Sequence, residues 1–120
     1  MRRGVTQRVC WGTLGTPARV DNAMSAYVIV DTQLLNPDAY EEYKALAKPI
    51  VESYGGVYRV RGGEMQVRES DLWSPSRLVV VEFPSREQAV AFAESPEYAP
   101  VAKIRHANAK CTLVIVDGCD

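Results

Sequence analysis

Arg61, Gly62 and Gly63 are consecutive in the chain. Arginine pairs bidentately with carboxylates and glycine lets a ligand approach the backbone closely, so the trio could hold an anion. The plainer reading is a bulge or bend with the arginine in a structural salt bridge, because glycines inside strands usually mark bends. Glu82 is the candidate general base, a role that requires burial to raise its pKa; pairing with an arginine is the structural alternative. Tyr43 and Tyr98 could present hydroxyls to a bound ligand, although each also fits an apolar helix face with one hydrogen bond. His106 is the single histidine, a residue type suited to acid–base work. In an alanine-rich segment an exposed or capping role competes with that reading.

Other chemistries have no footing. The glycine pair is not a phosphate loop, and neither the P-loop nor the dinucleotide-binding spacing occurs. There is no nucleophile elbow, HExxH motif or haem-attachment signature. Cys10, Cys111 and Cys119 are an odd count without a CxxC pair, which suits a reducing cytoplasm better than a disulfide framework or zinc site. Only Lys110 is electropositive beside Cys111, a weak basis for a reactive thiolate. No metal site or cofactor is therefore expected. The net charge of −1 offers no basic field for nucleic acid. No apolar run approaches the roughly 18 residues that span a bilayer.

The composition is that of an ordinary globular domain, with 47% hydrophobic and 24% charged residues over 120 positions. Residues 1–23 differ: Arg2, Arg3, Arg8 and Arg19 occur without an acid before Asp21, and no hydrophobic period is visible. An organelle transit peptide is one reading of such a stretch. It shows no amphipathic face, so a disordered extension is preferred, with the working domain over 24–120.

From there the elements are legible. Residues 26–31 are β-rich and short. Asn36 and Pro37 open a helix as cap and first residue, and Gly55-Gly56 closes it. Tyr40, Tyr43, Ala47, Ile50, Val51 and Tyr54 share one face, with Pro49 expected to kink or interrupt the run. A second strand covers 57–61, is broken at Gly62-Gly63, and continues extended over 64–69. Residues 77–83 form the clearest strand. Ser85 and Gln88 make a capping box for the next helix. Ser95-Pro96 restarts a helix carrying Tyr98, Val101, Ala102 and Arg105, and 112–116 is the last strand. The order βαββαβ, with one extra helical segment, predicts an α+β ferredoxin-like fold with an antiparallel four-stranded sheet.

Strand alternation assigns Val28, Val30, Tyr58, Val60, Val79, Val81, Phe83, Val114 and Val116 to the face under the helices. The opposite face then holds Tyr27, Ile29, Leu78, Val80, Leu113 and Ile115, too much apolar surface to leave in water. At roughly 1.5–3 kcal/mol per buried side chain, a second sheet is the simplest cover, and a homodimer is expected. Asp31, Arg59, Arg61, Glu82 and Asp117 fall on that same face. They either reach a solvated rim or, in the sharper reading, set Arg61 against Glu82 in a cleft between two sheets, where desolvated charges need partners or a ligand.

The segments AYVIVD, NPDAYEEYKALAKPIVESYGG, YRVRGGE, RLVVVEFPSREQA, SPEYAPVAKIRHANA and LVIVDG, in that order, resemble the small bacterial proteins of domain of unknown function 1330. The resemblance covers about three quarters of the chain and implies a dimeric α/β barrel, a fold shared with small monooxygenases, isomerases and stress-response proteins. It implies no reaction. The arginine-rich leader lies outside it, and His106 is not a residue the family holds, which lowers it as a catalytic candidate.

Two functions are therefore carried forward. One is a cofactor-independent oxygenase or isomerase that binds or transforms a small organic acid in the dimer cleft. The other is a non-catalytic ligand-binding or stress-related module. The first needs an enclosed pocket holding Arg61 and Glu82 together. An RNA-reading role would need aromatics on the central strands beside a basic patch, and only Tyr27 is available.

Overall fold

The computed structural model describes residues 25–119. The leader over residues 1–23, and Cys10 within it, lie outside the described residues.

Seven elements follow one another: β1 (Ala26–Leu34), α1 (Pro37–Ser53), β2 (Val57–Arg61), β3 (Leu78–Phe83), α2 (Arg86–Ala93), α3 (Tyr98–Asn108) and β4 (Ala109–Asp117). The strands make one sheet in the order β2-β3-β1-β4, antiparallel at every pairing. This is the expected ferredoxin-like arrangement, with α1 and α3 packed side by side on one face.

Local chemistry sets the helix ends. The Asn36 side chain accepts from the Ala39 N–H at 3.3 Å, and Pro37 occupies the first helical position, where no intrahelical donor is needed. At the other end Gly55 has φ +87°, a left-handed conformation that glycine adopts without steric cost. The Gly56 N–H then reaches back to the Val51 carbonyl and the Gly55 N–H to that of Glu52, closing the helix. Pro49 does not interrupt α1, which runs through it unbroken to Ser53. Ala47 and Val51, on either side of the proline, are buried against the sheet, and that packing holds the turn despite the missing donor. At α2 the Ser85 hydroxyl accepts from the Gln88 N–H at 3.1 Å, the serine half of the expected box.

The core lies between sheet and helices: Val28, Val30, Val51, Val79, Val81, Phe83, Phe92 and Val101. Two strands sit differently from the sequence reading. In β4 the register pairs Val28 with Ile115 and Val30 with Leu113, so Leu113 and Ile115 face the helices. Val114 and Val116 face the other way and stay exposed. The run from Leu113 to Val116 is apolar at every position, so alternation within it could not fix the phase. In β2 the pairing with β3 shifts between Tyr58 and Val60, leaving Arg59 as an extra residue. Tyr58 opposes Val81 on the core side, Val60 opposes Val80 on the open side, and Arg61 opposes Val79 on the core side again. The bulge is thus at Arg59 and not at the glycine pair.

The face away from the helices still carries Tyr27, Ile29, Leu78 and Val80, joined by Val57, Val60, Val114 and Val116. Its membership has changed and its apolar character has not. Residues 64–69 pair with no strand and belong to a long loop between β2 and β3. No helix among the described residues is long and apolar enough to cross a membrane.

Candidate functional site

Alternation along α3 buries Tyr98, Val101 and Arg105, spaced as one helical face. Arg105 is 7% exposed. Its Nε donates to the Tyr98 hydroxyl at 3.3 Å, and its Nη2 lies 3.3 Å from His106 Nε2. Arginine has no acceptor, so in that contact the guanidinium donates and the imidazole nitrogen accepts. The Tyr98 hydroxyl is in turn 2.7 Å from that of Tyr43 on α1. Among the described residues no carboxylate lies within ion-pair distance of Arg105. A buried guanidinium held only by neutral groups is unusual, because desolvating a charge costs several kcal/mol unless it is paired.

Further aromatics and cations surround this core of the site. Tyr40 stacks obliquely on Tyr43, with ring centroids 5.0 Å apart. Arg77 lies over the Tyr40 ring at 5.5 Å. Burial raises the pKa of the Tyr40 phenol, while a hydrogen bond from Thr32 and the charges of Arg77 and Arg105 work in the opposite direction. Tyr40 therefore sits within the field of two guanidinium groups. Arg61 projects its charge over Tyr58 at 4.4 Å and donates from Nη2 to the Lys44 carbonyl of α1 at 3.0 Å. Neither Arg61 nor Arg77 has an acidic partner among the described residues. Burial pushes the Tyr43 phenol far above its ordinary value, and the neighbouring Tyr98 adds to this. Tyr43 is accordingly a neutral hydrogen-bonding group at any physiological pH and not a base.

Tyr43, Tyr98 and His106 are thus brought together, and Arg105 is what joins them. Arg61 lies on the same side of the sheet, against α1. Glu82 does not join them. It opposes Tyr27 and Val57 on the open face, where its carboxylate takes the Arg59 Nε–H at 2.9 Å. That hydrogen bond holds its pKa below the ordinary value, the reverse of what a general base needs. The expected Arg61–Glu82 pairing in a cleft is therefore corrected: the bulge at Arg59 turns Arg61 to the opposite face and puts Arg59 in its place. The glycines fare similarly. Gly62, at φ +75°, uses its N–H on the Leu78 carbonyl at 2.8 Å and packs against the Arg77 guanidinium, while a side chain at Gly63 would meet open space. They shape the turn and leave no paired donors for an anion.

Arg105, Arg77 and Tyr40 went unmarked as chemistry in the sequence. For Arg105 a signal existed, a charged residue on the same helical stripe as Tyr98 and Val101. For Arg77 and Tyr40 there was none, because their meeting depends on tertiary packing. Among the described residues there is no cluster of three or more His, Cys, Asp or Glu able to hold a metal ion. Cys111 is a free thiol whose Sγ lies 3.6 Å from the Thr32 hydroxyl, beside the site.

The family model described as "Domain of unknown function (DUF1330)" matches residues 25–119. No curated protein matches the chain. Among solved structures, a protein of unknown function from Rhodopseudomonas palustris is similar at 20% identity and a TM-score of 0.64, over 85% of this chain and 88% of that one. A cofactor-independent oxygenase from Streptomyces nogalater, SnoaB, aligns at 13% identity and a TM-score of 0.58, over 82% and 96%. A hypothetical protein of Arabidopsis thaliana gives the same identity and score over 86% and 96%. At these identities the likeness is one of fold.

Proposed function

The chain belongs to the DUF1330 family, and on that premise we propose that it is a homodimeric protein in which each protomer binds a small organic acid through Arg105, with Tyr98 and Tyr43 beside the ligand. The observation that carries this reading is the buried Arg105 guanidinium with no carboxylate among the described residues to neutralise it. A carboxylate is the planar, bidentate partner that a guanidinium fits best. Arg77 and Arg61, also without acidic partners, add a positive field on the same side of the sheet. The tyrosine rings around them suit an acid with an apolar or aromatic body.

The ligand lies under the helices of one protomer in this reading, not in a cleft between two sheets. The dimer rests on separate support, the apolar open face of the sheet, where Val57, Val60, Val114 and Val116 are each at least 40% exposed. A cytoplasmic setting is retained from the odd cysteine count without a CxxC pair. An oxygenase on the same fold gives the catalytic version its analogy, and analogy of fold carries no reaction.

Calorimetric titration of the full chain with benzoate and with succinate, using chloride as control, tests the binding claim. Saturable binding of either acid is expected, weakened at least tenfold, or about 1.4 kcal/mol, by Arg105→Gln and unaffected by Glu82→Gln. No heat with either acid, or equal affinity in Arg105→Gln, removes the reading. Sedimentation equilibrium tests the dimer separately.

A further inference from the structure

We propose that the loop between β2 and β3 is a docking arm for a second copy of this chain, presenting Met65, Val67, Leu72 and Trp73 to the partner beyond the edge of its sheet. The inference rests on the dimer reading above and extends it to a surface that the sheet alone does not provide.

The loop spans residues 62–77, sixteen positions without regular structure. Connections longer than about 12–15 residues are uncommon in compact domains and usually carry a function. This one is pinned at its base. Asp31 accepts from the Trp73 indole N–H at 2.6 Å and from the backbone N–H groups of Ser76 and Arg77 at 2.8 and 3.0 Å. The Thr32 N–H donates to the Arg77 carbonyl at 2.9 Å and the Gly62 N–H to that of Leu78 at 2.8 Å. Asp31 and Leu78 oppose each other on the open face of the sheet, so the pins set Trp73 on that side and not on the helix side.

What the pinned loop shows to solvent is apolar. Leu72 is 93% exposed, Trp73 53%, Val67 47% and Met65 37%. Together with Leu78 and Pro75 they form a shallow cavity of about 620 Å³ that runs into the open face. Four such side chains on one loop pinned at its base have no use in an isolated protomer.

The area argues for a second copy. At ordinary whole-residue areas, the apolar side chains of the open sheet face leave on the order of 450 Å² uncovered, about half of the roughly 800 Å² each partner gives to a stable interface. The four loop residues add about as much again and bring the total to the required size. Arg68 and Glu69, adjacent on the loop and both exposed, supply charges of either sign, which a two-fold contact between identical loops can pair.

Sedimentation equilibrium on the full chain, its Leu72→Asp variant and its Val114→Asp variant tests the arm. Leu72 makes no core contact, so its substitution leaves the protomer's thermal unfolding unchanged, which circular dichroism verifies. A dimer constant weakened at least tenfold in Leu72→Asp supports the proposal. If Val114→Asp dissociates the dimer while Leu72→Asp leaves its constant within twofold, the arm is refuted and the dimer stands. A wild-type chain that is monomeric throughout refutes both. Binding of anilinonaphthalene sulfonate to the loop cavity of an intact dimer, abolished by Leu72→Asp without change in the dimer constant, would make the occupant a small apolar molecule and overturn the proposal.

Discussion

The hydroxyls of Tyr43 and Tyr98 lie 2.7 Å apart and tie the middle of α1 to the first residue of α3. Removing the two hydroxyls has unequal consequences. Tyr43→Phe breaks one neutral hydrogen bond and is expected to cost about 1 kcal/mol in urea denaturation. Tyr98→Phe also deprives the buried Arg105 of an acceptor, and bonds to charged groups are worth about 1.5–3 kcal/mol. Equal losses would show that Arg105 gains nothing from Tyr98.

The phenols also give the fold an alkaline limit. Burial raises the pKa of Tyr43, Tyr40 and Tyr58 above their ordinary value of 10.0. A raised folded-state value means that the neutral phenol is favoured in the native protein, so its contribution is complete below the unfolded pKa and fades as pH rises beyond it. Absorbance titration at the tyrosinate band is expected to show Tyr40, Tyr43 and Tyr58 ionising only above their ordinary range. A single transition at the ordinary value would contradict the burial of these rings.

At the acid end Asp31 matters most. Partial burial tends to raise its pKa, but the Trp73 indole N–H and the backbone N–H groups of Arg77 and Ser76 together lower it below 3.8. A depressed value stabilises the loop attachment above the unfolded pKa, and the attachment is lost as pH falls through the folded one. In a Trp11→Phe background, Trp73 emission should hold steady from neutrality to about pH 4 and change below it. Asp31→Asn should bring the change to neutral pH. Emission indifferent to both would mean that the indole is not held by Asp31.

Two glycine substitutions separate packing from site geometry. A Cβ at Gly56 would stand 2.6 Å from Val51 Cγ1 and 2.9 Å from the Phe83 ring, so Gly56→Ala overpacks the core and should cost about 1–3 kcal/mol. A Cβ at Gly62 would stand 2.7 Å from the Arg77 guanidinium on a backbone at φ +75°. Gly62→Ala should therefore move Arg77 off Tyr40 and weaken acid binding more than it weakens the fold. Titration calorimetry and thermal melting, run on both variants, distinguish the two effects.

The sequence was legible wherever polar and apolar residues alternate or a cap residue marks an end. Asn36-Pro37, Gly55-Gly56 and Ser85 set the helix limits by their own chemistry. The strand from Leu78 to Phe83 alternates around Glu82 and took its correct phase. β4 did not, because four consecutive apolar residues carry no phase of their own and the pairing with β1 decides it. In β2 one unpaired residue reverses every side chain beyond it, and nothing local to Arg59 announces this. The site followed the same division. Tyr43, Tyr98 and His106 were visible as residue types, whereas the cation that links them was masked by its place on an otherwise apolar stripe.

The bulge in β2 has an evolutionary corollary. Arg59 and Arg61 are chemically identical, and the bulge between Tyr58 and Val60 is what turns Arg61 toward the tyrosine compartment while Arg59 meets the solvent-side carboxylate. If the strand paired without this bulge, Val60 would turn toward the helices and Arg61 would join Arg59 on the open face. Relatives whose strand of equal length pairs without the bulge should therefore differ in ligand preference even when aligned arginines look equivalent.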